Sequence, residues 1–118
     1  MSLNRRNFLA STAAIAGTSM LPRVALAADT IKLGSILDTS GIFDAYGKPM
    51  DMAMRLAVAE INAAGGLLGR EVEVVAYDTQ SDMAIYAQYG QQLTRQDRVD
   101  VVHGGILSAS REAIRQTM

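Results

Sequence analysis

The order of structural elements is clearest in the stretch AEINAAGGLLGREVEVVAY, residues 59–77. Its first part continues an apolar pattern with helical spacing, so we predict a helix from Met50 to Ala64. Gly65 and Gly66 can take the left-handed conformation that ends a helix. Glu71 to Tyr77 is rich in valine, which predicts a strand. The predicted buried stripe of the helix consists of Met50, Ala53, Met54, Ala57, Val58 and Ile61.

The same alternation of strand and helix continues on both sides of this stretch. Ile31 to Leu37 is a short apolar run and predicts a strand, and the polar residues from Asp38 to Lys48 predict a loop. Further elements are a helix over Met83–Thr94 capped by Ser81 or Asp82, a strand over Val99–His103, and a helix that Ser108 caps. The order β-α-β-α-β-α predicts an α/β fold, in which helices cover both faces of a parallel sheet.

In such a sheet, ligands bind beyond the carboxyl ends of the strands. Three predicted loops meet that edge: Asp38 to Lys48, Asp78 to Asp82, and Gly104 to Ser108. The first loop is longer than a turn requires, and the third is rich in glycine. We therefore expect a small-molecule site to draw on the first and third loops.

The N-terminus has the composition of an export signal. Arg5 and Arg6, followed after one residue by Phe8-Leu9, resemble the twin-arginine signal. An uncharged apolar run follows, shorter than the roughly 20 residues of a membrane-spanning helix. Ala25-Leu26-Ala27 has the pattern of a cleavage site. The sequence thus predicts a signal peptide over residues 1–27, cleaved near Ala27 after export by the twin-arginine translocase, and a mature segment over 28–118.

Composition excludes several kinds of site. The chain has 11 basic and 12 acidic residues. The predicted signal contains three of the basic residues, Arg5, Arg6 and Arg23, and no acidic residue. The mature segment therefore keeps eight basic and twelve acidic residues. A net charge of −4 argues against a nucleic-acid partner. The chain has no cysteine and only one histidine, His103. A disulfide and a zinc site of thiolates or several histidines are therefore excluded, and we expect no cofactor.

Three motifs have a chemical and a structural interpretation. The run from Gly65 to Gly69 precedes a strand, whereas a phosphate loop must follow one, so we interpret it as a turn. His103-Gly104-Gly105 is similar to an esterase oxyanion loop, but no G-x-S-x-G nucleophile motif accompanies it. Asp78 and Asp82 are too few for a metal site, and we interpret them as turn and cap residues.

The mature segment resembles the N-terminal lobe of type I periplasmic binding proteins, in the class that takes branched-chain amino acids, amides and urea. The shared features are Ile31-Lys32-Leu33-Gly34, Ser40-Gly41, the run from Ala59 to Gly66, Leu68-Gly69-Arg70, and Tyr77-Asp78. The resemblance implies a partial N-terminal lobe of the periplasmic binding protein-like I fold. It also implies a non-enzymatic periplasmic receptor that closes on a small polar solute and delivers it to the membrane subunits of an ABC importer.

The resemblance also implies the site. Ser108 matches the ligand-binding serine of the family, and Tyr46 matches its aromatic wall. Gly105, Ile106 and Leu107 match the backbone that lines the cleft, and Ser110 joins the predicted ligand-binding set. From the geometry alone, helix capping is the better interpretation of Ser108.

The solute class stays open. Ser108-Ala109-Ser110-Arg111 is similar to the Ser-x-Ser/Thr-Arg of the urea and short-amide branch. Ile106 is instead closer to the leucine-type binders, because the amide branch often carries an aromatic residue there.

Two other functions stay open as well: a ligand-sensing receptor or regulator on the same fold, and an exported α/β hydrolase. Members of the family are several hundred residues long, so we expect this chain to be the front part of a longer protein. An incomplete sheet of this kind should leave a strand edge and apolar helix faces uncovered.

Overall fold

Three parallel strands form the centre of the computed structural model, which describes residues 29–118. The strands are β1 (Ile31–Leu37), β2 (Val72–Asp78) and β3 (Val101–Gly104), and their order in the sheet is β2-β1-β3. Ile36 of β1 lies beside Tyr77 of β2 and Gly104 of β3. This topology confirms the predicted parallel α/β architecture. The predicted signal peptide lies outside the described residues.

Helices connect and follow the strands. They are α1 (Asp44–Ala63), α2 (Met83–Gln92), a π-helix (Leu93–Asp97) and α3 (Ser108–Arg115). The Asp82 side chain caps α2 by accepting hydrogen bonds from the N–H groups of Ala84 and Ile85, at 2.7 and 3.2 Å. This confirms one of the two predicted caps. Over residues 29–118, no helix combines the length and the apolar character that crossing a bilayer requires.

The two faces of the sheet carry different helices. On one face, Ile36 packs in a core with Tyr86 and Leu93 of the α2 region and Ile114 of α3. On the other face, α1 contacts β1 and β2 and contributes the buried Met54. Helices therefore cover both faces, as predicted. The α1 stripe is only partly buried, however, because Met50 is 37% exposed and Ala53 and Ala57 are exposed as well.

Several element boundaries differ from the prediction. The first helix begins at Asp44 instead of Met50, and its first turn carries an Asp44–Lys48 ion pair at 2.6 Å. The third strand covers Val101–Gly104 instead of Val99–His103, and the N–H of Val99 bonds the Leu93 carbonyl at 3.1 Å. The second helix is α-helical only to Gln92 and continues as the π-helix.

Gly47 lets the first turn of α1 pack closely against the end of β1. A Cβ at this position would lie 2.0 Å from the carbonyl oxygen of Asp38, at the end of β1. The first turn of α1 therefore rests directly on the backbone at the carboxyl end of β1. Glycine is needed here for this close approach, not for a turn.

Two aspartates connect the carboxyl ends of β1 and β2, and each of them bonds the loop that follows the other strand. Asp78, which ends β2, accepts hydrogen bonds from the N–H groups of Thr39 and Ser40, both at 3.0 Å, and from the Ser40 hydroxyl at 2.5 Å. Asp38, which follows β1, accepts from the Thr79 hydroxyl and from the Ser81 N–H at 3.0 Å. Each strand end thus holds the loop that follows the other, and we call this arrangement the crossed aspartate pair.

We predict that Gly47→Ala destabilises the protein. In an unconstrained helix the same change would stabilise by about 1 kcal/mol through helix propensity. The clash with Asp38 should reverse the sign and cost about 1–3 kcal/mol. Denaturant unfolding measures the difference, and a stabilised variant would contradict the close packing of α1 on β1.

We predict that the ionised Asp78 side chain stabilises the folded protein and that this stabilisation is lost at acidic pH. Burial opposes ionisation of Asp78, but the hydrogen bonds from Ser40 and from the Gln80 N–H outweigh it and lower its pKa. Its stabilising effect is therefore complete above the unfolded pKa of about 4 and is lost as the pH falls through the lower folded pKa. Asp78→Asn should be less stable than wild type at pH 7, and the difference should shrink below about pH 4. Unfolding measured as a function of pH tests this, and a difference that does not vary with pH would contradict it.

Candidate functional site

The carboxyl edge of the sheet carries the residues that the sequence singled out. Residues 38–43 follow β1, residues 79–82 follow β2, and residues 105–107 follow β3. The first connection is shorter than predicted, since α1 takes up residues 44–48. The predicted first-loop residue Tyr46 accordingly lies in a helix.

Tyr46 lies in the first turn of α1, and its side chain is 63% exposed. It precedes Gly47, which packs on the backbone of Asp38. The ring is therefore at the carboxyl edge, on a backbone fixed by close packing. An exposed aromatic ring in this position can form an apolar wall with a polar tip.

Ser108 is the first residue of α3 and not its cap. The cap position belongs to Leu107, whose backbone is extended, and the Ser108 side chain makes no capping hydrogen bond. This corrects the prediction that Ser108 caps the helix. Its exposed hydroxyl is instead 3.3 Å from Nη2 of Arg111, from which it accepts a weak hydrogen bond.

Ser110 has the structural role that was predicted for Ser108. It is 1% exposed, its hydroxyl donates to the Leu107 carbonyl at 2.7 Å, and it accepts from the Leu107 N–H at 3.1 Å. Solute contact by Ser110 remains a prediction, and within this lobe its hydroxyl is engaged with Leu107.

The backbone between β3 and α3 lies at the predicted position. Gly105 has a φ of 78°, a left-handed conformation that favours glycine, and its N–H is 3.4 Å from the Ile36 carbonyl oxygen. Ile106 is half-buried, and Leu107 is 36% exposed. The segment that contains Ser108 is therefore attached to the central strand at its first residue.

Two further residues belong to this edge that the sequence analysis did not identify. Asp38 is 1% exposed, and its carboxylate accepts a 3.0 Å hydrogen bond from the hydroxyl of Tyr86, which is fully buried. Burial is the main cause of a raised pKa for Tyr86, and Asp38 raises it further. Sequence reasoning missed the pair because 48 residues separate them and each is unremarkable locally.

The motifs for which the sequence offered a chemical interpretation lie within the described residues. Within residues 29–118, no group of three or more His, Asp or Glu side chains could hold a metal ion. Gly65 and Gly66 close the end of α1, with N–H groups bonded to the carbonyls of Asn62 and Ile61, which confirms a turn. Nδ1 of His103 is buried and makes no hydrogen bond.

A cleft of about 290 Å³ lies beside α1, and neither Tyr46 nor Ser108 lines it. It is bounded by Asp51 and Arg55 of α1, which pair at 2.8 Å, and by the ends of β1 and β2. Of the predicted solute-binding residues, Tyr46 and Ser108 are exposed, whereas Ser110 is buried.

Comparison with known proteins identifies the family of the chain. The family described as "Periplasmic binding protein" matches residues 30–118. The substrate-binding protein LivJ of a branched-chain amino acid transporter from Streptococcus pneumoniae, solved with isoleucine, is 38% identical over 75% of this chain and 26% of its own, with a TM-score of 0.73.

Other solved structures agree with this match. A branched-chain amino acid ABC transporter protein from Silicibacter pomeroyi is 35% identical over 65% of this chain and 20% of its own, with a TM-score of 0.62. The leucine-binding protein LivK from Thermotoga maritima is 28% identical over 74% of this chain and 24% of its own, with a TM-score of 0.67. No curated protein matches the chain.

The chain spans about a quarter of the length of these solved proteins. The family match nevertheless covers nearly all of the described residues, and the strands, helices and glycine turns follow the pattern that the motifs predicted. The chain belongs to the periplasmic binding protein family.

Proposed function

We propose that this chain forms part of the first lobe of an exported solute receptor that serves an ABC-type importer. The observation that carries the proposal is the 38% identity to a substrate-binding protein solved with isoleucine. The aligned region is a quarter of that protein, so the second lobe would come from further chain. Closure of the two lobes around the solute would be the working motion.

The preferred solute is a branched-chain amino acid. Three of the solved proteins that the chain resembles carry branched-chain amino acids or leucine in their descriptions. The exposed Ser108 hydroxyl lies on the first turn of α3, where backbone N–H groups have no partner within the helix. Such a helix end favours a carboxylate. Short amides and urea remain the alternative that Ser108-Ala109-Ser110-Arg111 suggests.

Members of the family act in the periplasm, and the proposed route there is the twin-arginine translocase. Arg5 and Arg6 would provide the recognition signal, and cleavage would follow Ala27. This route carries folded proteins, so the complete receptor would fold before export. The proposal rests on the sequence of residues 1–27.

We predict that the full-length mature protein binds isoleucine, leucine or valine. At a solute concentration about 100 times Kd, binding stabilises by about 2.7 kcal/mol, which should raise Tm by several degrees. Acetamide and urea in the same panel test the alternative solute class. No shift with any of these solutes would overturn the solute assignment, and a transmembrane helix encoded downstream would favour the sensor function.

We predict that Ser108→Ala weakens binding of the solute identified in that panel. Loss of one buried hydrogen bond to a charged group should cost about 1–3 kcal/mol. The matched control is Thr30→Ala, because Thr30 precedes β1 at the opposite edge of the sheet and its hydroxyl bonds Glu73. Calorimetric titration measures both, and equal affinities for the two variants would exclude Ser108 from the site.

A further inference from the structure

The turn after β2, residues 79–82, has a strained backbone. The N–H of Asp82 bonds the Thr79 carbonyl at 2.9 Å and closes the turn. Its two central residues, Gln80 and Ser81, have φ values of 54° and 61°. Two successive positive φ values are typical of a type I′ turn, in which glycine, asparagine and aspartate are preferred. Glutamine and serine are unfavourable in this conformation, so the surrounding structure must hold the turn in place.

Ser81 is held by two hydrogen bonds to the connection between β1 and α1. Its N–H donates to the Asp38 carboxylate at 3.0 Å, and its hydroxyl oxygen accepts from the N–H of Phe43 at 3.1 Å. The two connections also pack closely, because a Cβ on Gly41 would lie 2.5 Å from the Gln80 carbonyl oxygen. The strained turn therefore presents both the backbone and the side chain of Ser81 to the start of α1.

Phe43 connects Ser81 to Tyr46. It occupies the N-cap position of α1, and its own side chain makes no capping hydrogen bond. Its carbonyl accepts from the N–H groups of Tyr46 at 2.9 Å and Gly47 at 3.0 Å. Phe43 is thus bonded to Ser81 through its N–H and to the backbone of Tyr46 through its carbonyl. The Tyr46 side chain is 63% exposed, so its position depends mainly on this backbone.

We propose that Ser81 is a positioning residue for solute binding, because its hydroxyl fixes the start of α1 and thereby the place of Tyr46 at the carboxyl edge. This inference rests on the proposed function, with Tyr46 as a wall of the solute site. Glycine would relieve the strain at position 81 but would leave the Phe43 N–H without its acceptor. Retention of a strained serine in a turn is consistent with a role at a functional site.

The test compares Ser81→Ala with Ser81→Gly in the full-length mature protein. Both variants lose the hydroxyl, but only glycine also relieves the strain of the positive φ, so Ser81→Gly should have the higher Tm of the two. We expect Kd for isoleucine to rise about 3- to 10-fold in both variants, the effect of losing one net hydrogen bond that orders the site. Calorimetric titration measures Kd, and thermal unfolding measures Tm.

The matched control is Gln80→Gly in the same turn. Gln80 also has a positive φ, and its side chain is exposed. The change therefore relieves strain at the neighbouring position and leaves the bond from Phe43 to the Ser81 hydroxyl in place. We expect Gln80→Gly to raise Tm and to change Kd for isoleucine less than twofold.

A coupling measurement tests whether Ser81 acts through Tyr46. Tyr46→Ala removes the ring that Ser81 is proposed to position. In the Tyr46→Ala background, Ser81→Gly should therefore change Kd less than twofold, although it raises Kd in the wild-type background. In the absence of solute, amide hydrogen exchange at Tyr46 should be faster in Ser81→Gly than in wild type, because the start of α1 has lost an anchor.

The outcomes are distinct. Wild-type protein that binds isoleucine, together with Ser81 variants of unchanged Kd, would overturn the positioning role and leave the proposed function intact. A Kd that rises in Ser81→Ala but not in Ser81→Gly would do the same, since the effect would then follow strain and not the hydroxyl. Fully multiplicative effects of Ser81→Gly and Tyr46→Ala would exclude action through Tyr46. Wild-type protein that binds no solute of the panel would overturn the proposed function, and the positioning role with it.

Discussion

The crossed aspartate pair is the constraint on which the candidate site depends. Parallel strands leave unpaired backbone groups where they end, and at this edge the carboxylates of Asp38 and Asp78 satisfy several of them. Each carboxylate binds the loop that follows the other strand. The positions of the two loops are therefore set jointly, by hydrogen bonds to charged acceptors, which are stronger than those between neutral groups.

The opposite edge of the sheet is closed by different means. Asn62, near the end of α1, makes two hydrogen bonds with the backbone of Val72 at the start of β2, at 2.8 and 2.9 Å. Together with the Gly65-Gly66 turn, this side-chain pairing ends α1 and begins β2. The edge at the amino ends of the strands therefore connects α1 to β2, whereas the edge at the carboxyl ends carries Tyr46 and Ser108. This division matches the general location of ligands on open parallel sheets.

The described lobe leaves part of its apolar surface uncovered, as the sequence analysis expected. In residues 29–118, β3 pairs with β1 alone, and Val101 is 53% exposed. On α1, Met52 and Leu56 are 71% and 62% exposed. The chain corresponds to about a quarter of its solved relatives, and surfaces of this kind commonly pack against further protein.

The sequence by itself determined the element types, the parallel α/β class and the glycine turn after α1, and it narrowed the cap of α2 to Ser81 or Asp82. These features depend on local periodicity and turn chemistry, and both are set by residues that lie close together in the sequence. It also determined the family, because runs such as Ala59 to Gly66 are specific. The sequence could not determine where α1 begins, since residues 38–48 have a loop-like composition and the packing of Gly47 on Asp38 exists only in the folded chain.

The tertiary structure alone decided which residues support the site. Ser108 and Ser110 look equivalent in the sequence, yet Ser108 is exposed, whereas Ser110 is buried and its hydroxyl bonds back to the backbone of Leu107. The Asp38–Tyr86 contact joins residues 48 positions apart, and no local pattern reports such a distance. Long-range hydrogen bonds of this kind exist only once the strands and α2 are packed together, so the network behind the site became visible only in the folded chain.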